Sequence, residues 1–364
     1  MKITKKKNIF SALFAVALSL AVCVLFSGCY TLRQGFAFLG YLCRARPLES
    51  LLENGGADTE EAERNRQFVK LVHDIRRFAS EYLGLNVGRN YTRYVSLDRN
   101  FIAAVVSASA ADSFTRHYWR YPIVGRLPYR GFFNIEHAHR ERERLERRGL
   151  DVWVRGVSAF STLGWFADPL FSFMKDFPVY RLADLIIHES LHATVFLRGQ
   201  AGFNEELAQF VGTEGARLFM ESRFGVDSAE YRAMVDGKED NRRFVAFVLE
   251  LAAELDVLYN SSANTDEILR EKERIIAAAQ ERFAAEYDNK FITDNFRGFS
   301  ALPVNNAYLD LFRLYFSEDD FIAELFEKSG KTLPEFIAAA KTMSTRRGPP
   351  GRERFVEALG LGRQ

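Results

Sequence analysis

The sequence predicts an α+β fold, mostly helical, in which a small β-sheet precedes a long helical half. Three observations predict it. Over most of the chain apolar residues recur at the 3.6-residue spacing of helices. Between Asn90 and Met174 the pattern changes to short runs rich in Val, Tyr, Phe and Ser, bounded by Gly, Pro and Asp, as strands are. With 364 residues, 48% of them hydrophobic, the chain can bury a sizeable core, and no collagenous, disordered or low-complexity bias is present.

Taken in order, the first element is an export signal over residues 1–28. Lys2, Lys5, Lys6 and Lys7 precede an apolar run from Ile9 to Leu25, and the run ends at Leu25-Phe26-Ser27-Gly28-Cys29. Small residues stand before Cys29 in the manner of a bacterial lipobox, although Phe26 replaces the usual aliphatic residue. Cys29 is therefore the expected site of lipidation. The alternative is an uncleaved membrane-spanning helix, since the run is only slightly short of a full span. Either reading puts the bulk of the protein outside the cytoplasm, held to a membrane of the cell envelope and facing the periplasm or the cell exterior.

Without residues 1–28 the chain has 45 basic against 48 acidic residues, so no nucleic-acid or other polyanionic partner is implied. Of three cysteines, Cys23 falls in the signal and Cys29 at its end. That leaves Cys43 as the one free thiol and excludes a disulfide framework.

Residues 29–56 read as a tether leading into a docked segment, with Gly55-Gly56 as the break. A domain over 57–342 follows. Asp58 and Glu61 have the spacing of a capping box, and Phe68, Leu71, Val72, Ile75, Phe78, Ala79 and Tyr82 then mark the stripe of a long amphipathic helix. Strands are expected at Tyr91–Leu97, Phe101–Ala108 and Val152–Thr162. Between them Glu136–Arg148 mixes Arg and Glu almost residue by residue, a solvated helix with internal ion pairs. Its His137 and His139, two apart, point to different faces and are discounted as metal ligands. Helices are expected over 179–198, 203–223, 227–259, 264–287, 304–316, 318–328 and 332–342, and residues 343–364 as a loose basic tail.

Chemistry concentrates at Leu185-Ile186-Ile187-His188-Glu189-Ser190-Leu191-His192-Ala193. One helical turn separates His188 from His192, so both imidazoles can take neighbouring corners of a tetrahedral zinc site. Glu189 leans toward the open corner, where a general base is needed. The helix breaks at Arg198-Gly199-Gln200-Ala201-Gly202, and Asn204 is a candidate N-cap for the next. Folding back, that second helix would bring Glu205 level with the histidines as third ligand. Glu206 and Glu214 are weaker candidates, because helical geometry turns Glu206 about 100° away and puts Glu214 more than two turns on.

His-Glu-x-x-His followed by Phe-Asn-Glu-x-x-Ala resembles the gluzincin class of zinc metallopeptidases. It is similar in particular to the family of bacterial lipoproteins described as predicted aminopeptidases. Further stretches carry the resemblance: Ile75-Arg76-Arg77-Phe78-Ala79, Trp119 to Gly125, Tyr129-Arg130-Gly131-Phe132-Phe133, Ser158 to Pro169, and Asn305-Asn306-Ala307 with Tyr315 beyond. Arg120 and Arg126 depart from it, standing where such relatives often carry cysteines.

The resemblance implies a zincin-like domain, one zinc ion per chain, peptide substrates and aminopeptidase activity. An aminopeptidase also needs a carboxylate for the substrate's α-amine, for which Asp168 and Glu206 are candidates. Asp168 could equally orient a ligand histidine, a duty for which Asp184 competes. The strand at 152–162 is a candidate edge for pairing with an extended substrate. Tyr315 is the family-matched candidate to stabilise an oxyanion, with a core role as the alternative. Two rival functions remain: a zinc endopeptidase of the same fold, and a non-enzymatic zinc-binding envelope lipoprotein. Neither substrate nor oligomeric state is legible.

Overall fold

The computed structural model describes residues 34, 37–53, 59–121, 125–158, 168–315, 321–343 and 350–361. The expected signal and Cys29 lie outside the described residues, as do most of 158–167 and the side chain of Tyr315. Among the described residues no helix is long and apolar enough to cross a membrane.

The chain divides into two compact units. One comprises Met1–Arg44, Ala103–Val157 and Asn305–Leu311; the other comprises Ala45–Ile102, Ser158–Val304 and Phe312–Gln364.

The first unit is built on strands β3 (Ala103–Ala110), β6 (Tyr129–Phe132) and β7 (Leu150–Val157), antiparallel in the order β6-β3-β7. Small and β-branched residues fill β3 (AAVVSASA), and every one except the last is buried. That is how a central strand covered on both faces reads, in place of the alternation of a half-exposed one. Helix α2 (Ile135–Glu146) packs on it through the fully buried Ala138 and Leu145, with the Asn134 side chain capping its first turn. The two-stranded β4 (Trp119–Tyr121) and β5 (Gly125–Leu127) form a hairpin in which Arg120 and Arg126 are direct partners. A pair of cysteines there would face each other; here the Arg126 guanidinium instead lies over the Tyr118 ring, 4.6 Å from its centroid.

Asn305 and Asn306 fasten the start of helix α7 (Asn306–Tyr315) to this sheet. Asn306, fully buried, donates to the carbonyls of Ala110, Ala111 and Ser113 at 3.0–3.2 Å, and its backbone N–H donates to Asp151. Asn305 donates to the carbonyl of Val152. One turn on, Asp310 pairs with Arg116. The 37–44 helix buries Tyr41 edge-on against Phe133.

In the second unit β1 (Arg46–Pro47), β2 (Arg93–Val95) and β8 (Leu170–Phe171) make a small mixed sheet in that order. Helix α1 (Glu60–Arg77) begins at Thr59, whose hydroxyl accepts from the Ala62 N–H, so the cap lies one residue beyond the Asp58 expected. It widens into a π-turn at Phe78–Tyr82. Then come α3 (Val179–His192), α4 (Ala201–Phe224), α5 (Ala229–Tyr259), α6 (Thr265–Lys290), α8 (Phe321–Ser329), α9 (Leu333–Thr342) and α10 (Gly351–Ala358).

Phenylalanines Phe244, Phe247, Phe283 and Phe299 interlock α5 with α6 and the turn that follows it. The loose tail expected beyond Met343 is corrected: α10 is a docked helix. Phe355 in it is fully buried, its ring 4.7 Å from that of Phe336 and 5.8 Å from that of Phe203. Charge and glycine content hid the one aromatic that anchors it.

Candidate metal centre

Helices α3 and α4 run antiparallel in close contact, for a reason visible in α4. A Cβ on Gly212 would meet the Asp184 carboxylate at 2.5 Å and the His188 Cβ at 3.0 Å; one on Gly215 would meet the Ile187 side chain at 3.0 Å. Ala208, Gly212 and Gly215 thus keep a near-bare stripe against which α3 lies. The expected 179–198 helix stops at His192, where Thr194 bonds back to the Ser190 carbonyl and accepts from the Asn86 N–H. Asn204 does not cap α4, which begins at Ala201. Its side chain instead makes two 2.9 Å hydrogen bonds to the backbone of Leu197, locking the α3–α4 connection closed.

That connection sets Glu205 opposite the histidines. The Nε2 atoms of His188 and His192 are 3.2 Å apart, and the Glu205 carboxylate lies 3.3 Å from His192 Nε2 and 3.7 Å from His188 Nε2. One ligand atom from each of the three falls within 4.8 Å of the others. Zinc–ligand bonds of roughly 2.0–2.1 Å make a tetrahedron with edges of about 3.3–3.4 Å; the His188–His192 and His192–Glu205 Oε1 separations match such an edge, while the 3.7 Å approach to His188 is made by the other carboxylate oxygen, Oε2.

Burial presses the His188 pKa down to about 4, with His192 adding to it; the ring is also held by a hydrogen bond to the Ala208 carbonyl. It is therefore neutral, as a ligand must be. His192 is buried too, which disfavours its cation, but Glu205 and Glu189 outweigh that and raise its pKa. The hydrogen bond from His192 in turn lowers that of Glu205. A cation between these groups would take the place of the His192 proton.

Glu189 is buried at 8% exposure, and its charge is felt by both His192 and Tyr91. Tyr91 was not singled out from the sequence. It is buried in the left-handed region, φ 61°, an uncommon backbone state for a residue other than glycine. Its N–H donates to the Asp168 carbonyl at 2.7 Å, while the Asp168 N–H donates to the Asn90 side chain. Asp168 is thereby clamped on both sides, buried, and its carboxylate raises the Tyr91 pKa together with burial and Glu189.

Asp184 stands one turn before His188 against Gly212; burial raises its pKa to about 6 although Lys238 and Arg181 oppose the shift. Glu206 and Glu214 are turned elsewhere. Glu206 pairs with Arg352 at 2.6 Å, and Glu214 with Arg217 at 2.6 Å. The small-residue stripe of α4 was legible, since Ala208, Gly212 and Gly215 recur on one helical face, but no sequence signal marks Tyr91.

This is a mostly helical α+β protein whose two antiparallel helices bring two histidines and a glutamate together as a group that could hold a metal ion, with a buried glutamate beside them. The chain belongs to the family described as "Putative aminopeptidase", whose family model matches residues 29–354. No curated protein and no solved structure matches it.

Proposed function

We propose that this protein is a zinc-dependent peptidase, an aminopeptidase of the gluzincin type, carried on a cell-envelope membrane by lipid at Cys29. The observation that carries the reading is the convergence of His188, His192 and Glu205, with one ligand atom of each within 4.8 Å of the others, beside the buried Glu189.

Those three residues would hold the ion, and their donor set of two imidazoles and one carboxylate is one that suits a catalytic zinc with an open fourth position. When bound, zinc supplies Lewis acidity and a nucleophile ionised at neutral pH. Glu189 takes the proton of the attacking water and returns it to the leaving amine. Its surroundings exclude bulk water, which strengthens its interaction with charge in the site. Glu206 is paired with Arg352, and of the two candidates for a substrate's α-ammonium group we favour the buried Asp168. Tyr315 remains the candidate oxyanion donor, on the strength of the family resemblance.

The test combines metal analysis with peptide hydrolysis. His188→Ala, His192→Ala and Glu205→Ala should each lose zinc and activity, whereas Glu189→Gln should keep about one equivalent of zinc and lose turnover. Full activity in Glu189→Gln, or parent-like zinc affinity in Glu205→Ala, would sink the mechanism. Blocking the N-terminus of a cleaved peptide should abolish its turnover; undiminished cleavage would identify an endopeptidase.

A further inference from the structure

The third ligand candidate, Glu205, is the exposed member of the group, with its side chain 62% accessible against 3% for His192. Its position depends on the first turn of α4 being held. Asn204 ties that turn to Leu197, and α10, about 150 residues further along the chain, holds it from another side. Gly351 lies so close to Phe203 that a Cβ would meet the ring at 2.7 Å, and its N–H donates to the Gln200 side chain. Phe355 packs against the same Phe203 ring.

Next to Gly351, Arg352 donates to Glu206 Oε1 at 2.6 Å, while its guanidinium stacks over the Phe321 ring, 4.6 Å from the centroid. The other oxygen of Glu206, Oε2, is buried with no hydrogen-bond partner among the described residues. Arg352 is thus a principal anchor of a carboxylate that follows Glu205 directly in sequence.

We infer that Arg352, presented by the C-terminal helix, is a positioning residue for the metal centre: by engaging Glu206 it leaves Glu205 as the carboxylate that faces His188 and His192. The inference rests on the metal reading above. Loss of Arg352 deprives Glu206 of its countercharge, with one oxygen already lacking a partner. Without Arg352 that carboxylate must find another countercharge, and the first turn of α4, which also carries Glu205, moves with it. A half-exposed ion pair adds little stability by itself. Its consequence should therefore show in metal affinity more than in folding.

Zinc affinity of the full chain, measured by competition with a chromophoric chelator, tests this alongside the melting temperature of the metal-free protein. Arg352→Ala should weaken zinc binding by about 10-fold or more, the scale seen when groups supporting metal ligands are removed, with a small change in melting. Arg352→Lys, which keeps the charge, should recover part of the loss. Glu206→Gln should bind zinc like the parent, and adding it to Arg352→Ala should restore affinity, because the uncompensated charge beside Glu205 is gone. A melting change with unaltered zinc affinity, or failure of the double variant to recover, overturns the inference and leaves the metal reading standing. If Glu206→Gln lost zinc as Glu205→Ala does, the ligand would be Glu206 and the inference would be wrong. Absence of zinc binding by the parent would remove both.

Discussion

At the scale of single residues, the centre depends as much on absent side chains as on present ones. Gly212 has an ordinary helical backbone; what requires glycine is the 2.5 Å approach of the Asp184 carboxylate and the 3.0 Å approach of the His188 Cβ. Gly212→Ala should cost about 1–3 kcal/mol by overpacking, read from denaturant unfolding, and weaken zinc binding because it pushes on His188. Gly202→Ala, in the same helix, is the control. Nothing lies within 4 Å of its added Cβ, so it should be neutral or gain up to about 0.5–1 kcal/mol from reduced chain entropy. Equal effects at both positions would mean that helix propensity, and not the α3–α4 contact, governs this region.

Among the elements, the sheet unit is tied together by one buried acid. Glu141 on α2 accepts from Trp119 Nε1 of β4 at 2.7 Å and from Arg144 of its own helix at 2.8 Å, with Arg130 of β6 at 3.4 Å. Burial pushes its pKa up, but these donors and the charges of Arg144 and Arg130 prevail and bring it to about 2. A carboxyl group whose folded pKa is depressed contributes stability that is fully present above its unfolded pKa, near 4.5, and lost as pH falls toward 2. Acid unfolding should therefore lose up to about 3 kcal/mol across that window, at about 1.4 kcal/mol per unit. Glu141→Gln should be less stable at neutral pH and flatter below pH 5; an unchanged pH slope would show that Glu141 is not the group titrating. The sequence displayed Glu136–Arg148 only as a charge-rich solvated helix. Period and composition cannot reveal that one of its many acids, Glu141, turns inward to meet an indole on a distant strand.

For the whole molecule, the envelope reading makes its own prediction. Cys29→Ala should leave the exported protein unprocessed and without acyl label, checked by fatty-acid labelling and membrane fractionation; unchanged labelling would exclude Cys29 as the anchor. What the sequence by itself determined is local and periodic. The helices at 227–259, 264–287 and 332–342 were legible within a few residues, because caps such as Ser228, Asn264 and Thr332 and apolar periodicity act over neighbouring residues. The pairing of His188 with His192 was legible for the same reason, one turn of one helix. Tertiary structure alone decided the rest: the division into two units, the docking of α10, the left-handed Tyr91 clamped to Asp168, and the capture of Glu206 by Arg352. Each joins residues tens to hundreds of positions apart. Such contacts are chosen by packing and by satisfying buried polar groups, which no local pattern encodes.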